Sequence, residues 1–489
     1  MPTLPCDNPL AQLVQFRQDI YTMFPAGRDS LMDLLDALSG NTTAQSPVAL
    51  CEHPSFRRGY SALYKAIVQL CEPSAAGAAI ATRKLLQQSL LKAVAPLIPV
   101  PQSRKFHLLG LDTTPMPRPF AKTLADRTYI YQPHTVKGNK PINIGHLYSL
   151  LSFLPEPEVR QNIPWSIPLS EQRVVSGSNS IAVGLEQVDS TLHNCPAFET
   201  EQLSVLVADS YYSQRQFLDA LSSKSNLVLV TRARSNRVFY RQPSASEGIT
   251  SNRGHRRWYG DRFDLKDETT WHQKDEIAQT AFTTRRGRHL KLTISGWHQM
   301  LMRGTKDYPM HQHPFTLLQV VVTDETESQL WRPMWLIAIG QRRDELTALD
   351  YYQAYRQRFD MEHMLRFSKQ RLLMGSFQTP DVEHEENWVQ LTLLAYIQLW
   401  AARDVASVLP RPWEKYHHKK TNYSVTPSLV QRDFYRIIRR TGTPAISPKP
   451  RGFSSGRAVG SLQEKRMRHP VVKKGKKTQK SSTGRPTTS

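Results

Sequence analysis

Apolar positions recur with two different periods along this chain, and the change of period divides it. From Leu10 to Ile98 they return every three to four residues, in LAQLVQFRQDIYTMF, SLMDLLDALSG, YSALYKAIVQLCE and AIATRKLLQQSLLKAVAPLI. That spacing lines one face of a helix, and Gly40, Pro47, Pro54 and Pro73 break the run between segments. Residues 1–100 therefore read as a helical N-terminal domain. After Pro101 short continuous apolar runs take over. Phe106–Leu111 (FHLLGL) reads as a buried strand ended by Asp112, and Leu203–Ala208 (LSVLVA) as another ended by Asp209. YIYQPHTVKGNKP and IGHLYSLLSFLP read as the second and third strands of a meander, joined by a turn at Lys137-Gly138-Asn139. Residues 155–183 are polar and proline-containing and read as a loop or insertion. Helices are expected near Gly184–His193 and Gln214–Leu221, with a strand at Asn226–Thr231.

The texture shifts again at Val238. Residues 238–341 are β-rich and irregular, with RHLKLTISGW, FTLLQVVVTDE and PMWLIAIG as their apolar runs. Residues 342–409 return to helix: no Gly or Pro interrupts Asp350–Leu373, and ENWVQLTLLAYIQLWAARDVA follows. From Pro410 the chain is rich in Pro, Lys and Arg. A helical patch in LVQRDFYRIIRR precedes a basic, apolar-poor tail expected to be disordered by itself. Strands alternating with helices make the fold α/β. The domain reading is 1–100, a core at 101–237, a β-rich insertion at 238–341, the core's C-terminal helices at 342–409, and a basic region at 410–489. No internal repeat is present.

Charge adds a partner to this picture. With 64 Lys+Arg against 42 Asp+Glu the 489-residue chain carries +22, which points to a polyanion, nucleic acid above all. No apolar run approaches the roughly 20 residues needed to span a bilayer. The opening MPTLPCDNPLAQLVQF lacks a basic segment followed by an apolar one, so no signal peptide is expected. Cys6, Cys51, Cys71 and Cys195 are scattered and fit neither a disulfide framework nor a zinc site; a reducing cytoplasm is the expected compartment. Arg57, Arg58 and Lys65, and Arg83, Lys84 and Lys92, form basic groups suited either to DNA backbone or to ordinary exposed helix surface. The β-rich block combines Trp258, Trp271, Trp297, Trp331 and Trp335 with Arg234, Arg237, Arg253, Arg256, Arg257, Arg285, Arg286 and Arg288. That mixture suits base stacking and backbone contact, although most of the tryptophans read as core.

Candidate chemistry lies with three carboxylates. Asp112 and Asp209 stand where apolar strands end, the place where α/β folds put their sites. Glu362 lies in YRQRFDMEHMLRFSK, in which Tyr355, Arg358, Glu362 and Lys369 are offset by 0, 3, 7 and 14 residues. On a single helix these four fall within an arc of about 60°. Oxygen ligands suit Mg²⁺, and a pair of such ions suits phosphodiester cleavage and joining.

The spacing Tyr-x2-Arg-x3-Glu-x6-Lys, met by Tyr355, Arg358, Glu362 and Lys369, resembles the signature of a large group of bacterial insertion-sequence transposases. That group is of the DDE class, with a ribonuclease-H-like core interrupted by a β-rich insertion. LLGLDTTPM and VLVADSYYSQRQFL resemble the two Asp-bearing strand ends of the family, and the 153 residues from Asp209 to Glu362 leave room for the insertion. One departure is Ser210-Tyr211-Tyr212, where many members have glycine and phenylalanine.

The resemblance implies a ribonuclease-H-like mixed-sheet core in which Asp112, Asp209 and Glu362 ligate two Mg²⁺ ions, with Mn²⁺ able to substitute. It implies that Arg358 and Lys369 hold phosphates of the transposon end, and that Tyr355 contacts the same strand through its hydroxyl. It assigns a flipped base to an insertion tryptophan, Trp297 or else Trp258. The implied reaction is hydrolysis at the element's ends, then attack of the freed 3′-OH on target DNA, by a homodimer on paired double-stranded ends in the bacterial nucleoid. The alternatives are a metal-dependent nuclease that cuts without joining, and an inactive DNA-binding derivative.

Overall fold

The computed structural model describes residues 8–71, 78–131, 142–157, 163–199, 201–243, 257–284, 287–407, 425–450, 459–460, 462 and 465–473. Lys137-Gly138-Asn139 and Arg253, Arg256, Arg285 and Arg286 lie outside the described residues.

Four helices open the chain: α1 (Pro9–Met23), α2 (Arg28–Ser39), α3 (Tyr60–Gln69) and α4 (Ala78–Val94). Five strands and two helices follow: β1 (Phe106–Pro117), β2 (Thr128–Tyr131), β3 (Ile142–Phe153), β4 (Ile167–Arg173), α5 (Ser180–Asn194), β5 (Leu203–Ala208) and α6 (Arg215–Ser222), then β6 (Leu227–Ala233). Strand β1 runs antiparallel to β3 and parallel to β5, and β5 runs parallel to β6. Strand β4 pairs antiparallel with the far side of β3. Read across, β4-β3-β1-β5-β6 is an antiparallel meander continued by two parallel strands, which is the ribonuclease-H-like mixed sheet. All six residues of β5 are buried, as expected for a central parallel strand covered on both faces.

One expectation is corrected here. The third strand of the meander is β4, inside the stretch read as a loop. Its sequence, IPLSEQR, is short and half polar, and only its first four residues are buried. Strand β2 is a four-residue edge on the same side of β3. The β-rich block continues the same sheet. It supplies β7 (Val238–Tyr240), β8 (Arg262–Asp264), β9 (Glu276–Thr283), β10 (His289–Met302), β11 (Phe315–Thr323) and β12 (Met334–Ile339). Strand β12 pairs antiparallel with β6 from Trp335↔Ala233 to Ile339↔Leu229, so the sheet runs on through β11 and β10.

Four further helices are α7 (Ala348–Gln357), α8 (Phe359–Gln370), α9 (Val382–Ala401) and α10 (Pro427–Thr441). Helices α5 and α6 cover one face of the sheet and α7, α8 and α9 the other. Gly110 of β1 shows how closely α8 lies: a Cβ there would stand 2.5 Å from the Met361 sulfur. Helix α9 is buried from Asn387 to Ala401 because α1, α2, α3 and α10 pack on its outer side. Among the described residues no helix is long and apolar enough to cross a membrane.

The N-terminal helices thus form a layer of the main body. The arginines flagged in them are engaged internally: Arg57 donates to Asp33 and to the Ala445 carbonyl, Arg58 pairs with Asp33, and Arg83 reaches Asn387 and Glu386. Lys65 and Lys84 remain exposed. Part of the tail is also ordered. The amides of His469 and Val472 donate to the carbonyls of Lys122 and Arg127 at 2.9 and 2.8 Å, which lays residues 465–473 along the β2 edge. Arg466 pairs there with Asp381.

Candidate active site

Strand β1 outlasts its parallel partner. Pairing with β5 ends at Leu111↔Ala208, whereas pairing with β3 continues to Pro117↔Gly145. Asp112 is therefore the first residue past the parallel pair, and Asp209 directly follows β5. Alternation along the strand puts Asp112 on the same face as Gly110, toward α8. The Asp209 carboxylate accepts the amide of Tyr211 at 2.9 Å and caps the turn behind it.

The Tyr355–Lys369 segment is helical but not one helix. Arg358 interrupts it: its amide donates to Tyr355 and its carbonyl accepts from Met361, both three-residue bonds, at φ −50° and ψ −33°. At this junction Arg358 is buried and turned inward. Its guanidinium donates from Nη1 to Asp112 Oδ2 at 2.6 Å and from Nη2 to Glu362 Oε1 at 3.1 Å. One arginine thus bridges a carboxylate of β1 and a carboxylate of α8. Glu362 is the outer member, its side chain 46% exposed. Lys369, two turns on, donates from Nζ to the Pro115 carbonyl at 3.0 Å.

Burial governs the electrostatics. It pushes Asp112 up to about 6, with the Arg358 charge opposing and the Asp209 and Glu362 charges adding to the rise. Arg358 is buried too, yet the Asp112 and Glu362 charges hold it above its ordinary value. Burial alone pulls Lys369 down to about 8.

Two expected strand contacts are placed differently. Tyr355 is only 3% exposed and sits beneath Arg358, whose guanidinium carbon lies 6.0 Å from its ring centre. It supports the arginine and has no open surface for a strand. Trp297 has no exposed surface at all. Its indole donates to the His272 carbonyl and its ring packs among Phe263, Trp271 and Trp335, so it is a core residue closed to a base. Trp258 is the open one of that pair, 51% exposed and stacked on His311 at 4.2 Å.

Two features escaped the sequence reading. Phe359, adjacent to Arg358 and one turn before Glu362, is an exposed ring beside the carboxylates. Beyond Lys369, Glu385 at the start of α9 accepts Arg118, His146 and Tyr148 in a fully buried cluster. Burial opposes ionisation of Glu385, but the His146 hydrogen bond and the Arg118 charge hold it below the usual range. The cluster ties α9 to the extension of β1 that carries Pro115. A run of three glutamates (Glu383, Glu385, Glu386) opening an otherwise apolar helix was its only trace in the sequence.

Whether the set suits divalent ions is decided by its donors. Asp112, Asp209 and Glu362 offer hard oxygens only, and a cation already bridges two of them. Among the described residues no three His, Cys, Asp or Glu side chains stand close enough together to enclose an ion, and the Arg358 fork lies between Asp112 and Glu362. The residues fit the group in chemistry and in sign of charge.

The sequence model of the family described as DDE superfamily endonuclease matches residues 19–303. No protein of curated function matches the chain. The matched span includes Asp112 and Asp209 and ends before the Tyr355–Lys369 segment. Enzymes of this family act on DNA and generally with divalent metals. With two aspartates at the ends of its parallel strands, a ribonuclease-H-like sheet beneath them and more than half its length matched, the chain belongs to the DDE superfamily of endonucleases.

Proposed function

We propose that this protein is an insertion-sequence transposase that cuts DNA at the ends of its element and joins the freed 3′ ends to a target. The observation that carries the reading is the meeting of Asp112 and Glu362 on one guanidinium, with Asp209 at the neighbouring strand end. These residues are 250 positions apart in the chain (Asp112 to Glu362), yet the fold delivers them to one edge.

Asp112, Asp209 and Glu362 would hold two Mg²⁺ ions, for which Mn²⁺ can stand in. Such ions supply charge for the attacking and leaving oxygens of an in-line phosphoryl displacement. The chain's own residues do the rest. Arg358 keeps the carboxylates oriented and adds positive charge beneath a strand laid across Asp112. Tyr355 fixes Arg358 from below. Lys369, held by the Pro115 carbonyl, offers its other N–H bonds to the next phosphate. Phe359 offers an exposed face to an unpaired base, the part for which the insertion tryptophan was expected. Water and then the 3′-OH are the nucleophiles, so no covalent protein intermediate is involved.

The test is cleavage of DNA carrying the sequences that flank the gene, with Mg²⁺, with EDTA, and with the Asp112→Asn, Asp209→Asn and Glu362→Gln variants. Metal-dependent nicks at matched inverted ends, followed by joined products, and lost in all three variants while DNA binding persists, support the proposal. Nicks without joined products identify a nuclease instead. Cleavage that survives Glu362→Gln refutes the third ligand.

A further inference from the structure

Helix α10 carries a charged face that the catalytic reading does not use. Its inner side is apolar: Val430, Phe434 and Ile437 are buried, facing α9 and α2. Arg432, Tyr435, Arg436 and Arg439 follow one another at i, i+3, i+4 and i+7 on the outer side, with Arg440 beside them. Arg432, Arg439 and Arg440 are exposed and Tyr435 is 44% exposed.

The only acid of the helix does not offset this charge. Asp433 is buried, where it accepts Arg436 at 2.5 Å and the Ser407 amide at 2.7 Å. Among the described residues no carboxylate lies within ion-pair distance of Arg432, Arg439 or Arg440. The last two stand in the final turn, where the helix dipole favours cations. Arg432 lies in the second turn, where the dipole gives it no such benefit.

Position relates this face to the active site. Gln431 donates to the Arg371 carbonyl, which places the first half of α10 at the C-terminal end of α8. Glu362 lies nine residues back along that helix, on the order of 14 Å at 1.5 Å per residue. Helix α10 thus adjoins the end of the helix that carries Glu362.

We propose that Arg432, Tyr435, Arg439 and Arg440 form a contact surface for the phosphate backbone of the duplex beside the cleaved strand. Arginines and a phenol supply donors only to such a ligand, and fixed charges at helical spacing match a regular polyanion. The inference rests on the DNA-cleaving reading and adds a second point of attachment to it.

The test measures binding of the full-length protein to a fluorescein-labelled mixed-sequence 40-base-pair duplex by anisotropy, from 50 to 300 mM KCl with EDTA. The compared proteins are the wild type, Arg432→Gln/Arg439→Gln/Arg440→Gln, and the same triple to Lys. Each lost phosphate contact flattens the plot of log K against log salt by about 0.9, so the Gln triple should lose between two and three units of slope. At 100 mM salt its affinity should fall on the order of a hundredfold. The Lys triple should restore both, because phosphate contact needs charge and not guanidinium geometry. An unchanged slope in the Gln triple overturns the inference while leaving the active-site reading intact. Failure of the Lys triple to restore the slope, with its circular dichroism that of the wild type, also overturns the phosphate assignment. A wild type without salt-dependent binding overturns the functional reading and the inference together.

Discussion

Arg358→Met separates the bridge from everything else at the site, because methionine keeps much of the stem and removes the fork. Asp112 titrates near 6 in the folded protein, above the ordinary 3.8, because burial outweighs the nearby guanidinium. Wild-type stability therefore falls as pH rises from about 4 to about 6, where the folded state holds the extra proton, and is level above that for this group. Without Arg358, burial and the Asp209 and Glu362 charges are opposed only by the Thr113 amide, and Asp112 keeps its proton to a higher pH. Over that added range the variant goes on losing stability by about 1.4 kcal/mol per pH unit while the wild type does not. The extra penalty from this source therefore grows with pH above about 6, by at most about 1.4 kcal/mol per unit, so it is larger at pH 7 and 8 than at pH 6. Loss of the contact to Glu362, which is largely solvated, adds less than about 1 kcal/mol at any of these pH values. Urea midpoints at pH 6, 7 and 8 in EDTA measure the difference. A penalty that is the same at all three pH values refutes the account of Arg358 as the counter-ion of Asp112.

Other consequences follow from the same geometry. Lys369 loses its proton near 8, so DNA affinity should decline as pH passes from 7 to 9, and Lys369→Arg should abolish that decline; equal pH profiles by anisotropy count against the phosphate role. Because its folded value lies below the ordinary 10.5, charged Lys369 costs stability at neutral pH, and that cost starts to fall above about 8 and is gone above about 10.5. Trp297→Ala should destabilise by about 3–5 kcal/mol with cleavage per folded molecule unchanged, whereas exposed Trp258→Ala should shift thermal unfolding little. Glu385→Leu leaves Arg118 buried without a counter-ion and should cost about 3–5 kcal/mol, and adding Arg118→Met should recover most of it, as read in urea melts.

The sequence alone determined the element types and the two strand-end aspartates. Continuous apolar runs closed by an acid, FHLLGLD and LSVLVAD, report strands buried on both faces and ended at a polar edge, and this is local information. The 3.6-residue period likewise reported the helices from α1 to α4 and the segment around Glu362. Strand β4 was hidden because an outer strand of a meander needs few buried residues, and IPLSEQR supplies only a short half-apolar pattern. The β-rich block was legible as strands, but its union with the core depends on β12 pairing with β6, a contact between residues about 100 apart with no local signature.

Side-chain roles at the site were likewise a tertiary matter. A helical wheel aligns Tyr355, Arg358, Glu362 and Lys369, but a single unbroken helix is an idealisation. The helix break at Arg358 and the close approach of α8 to Gly110 accompany an arginine set on Asp112 and a tyrosine buried beneath it. Aromatic residues show the limit most plainly. A tryptophan in a strand reads the same whether it is core or platform, and only the ring of Phe263, Trp271 and Trp335 around Trp297 decides that it is core. Periodicity reports which residues share a face, whereas exposure and partner are set by whatever distant segment packs against that face.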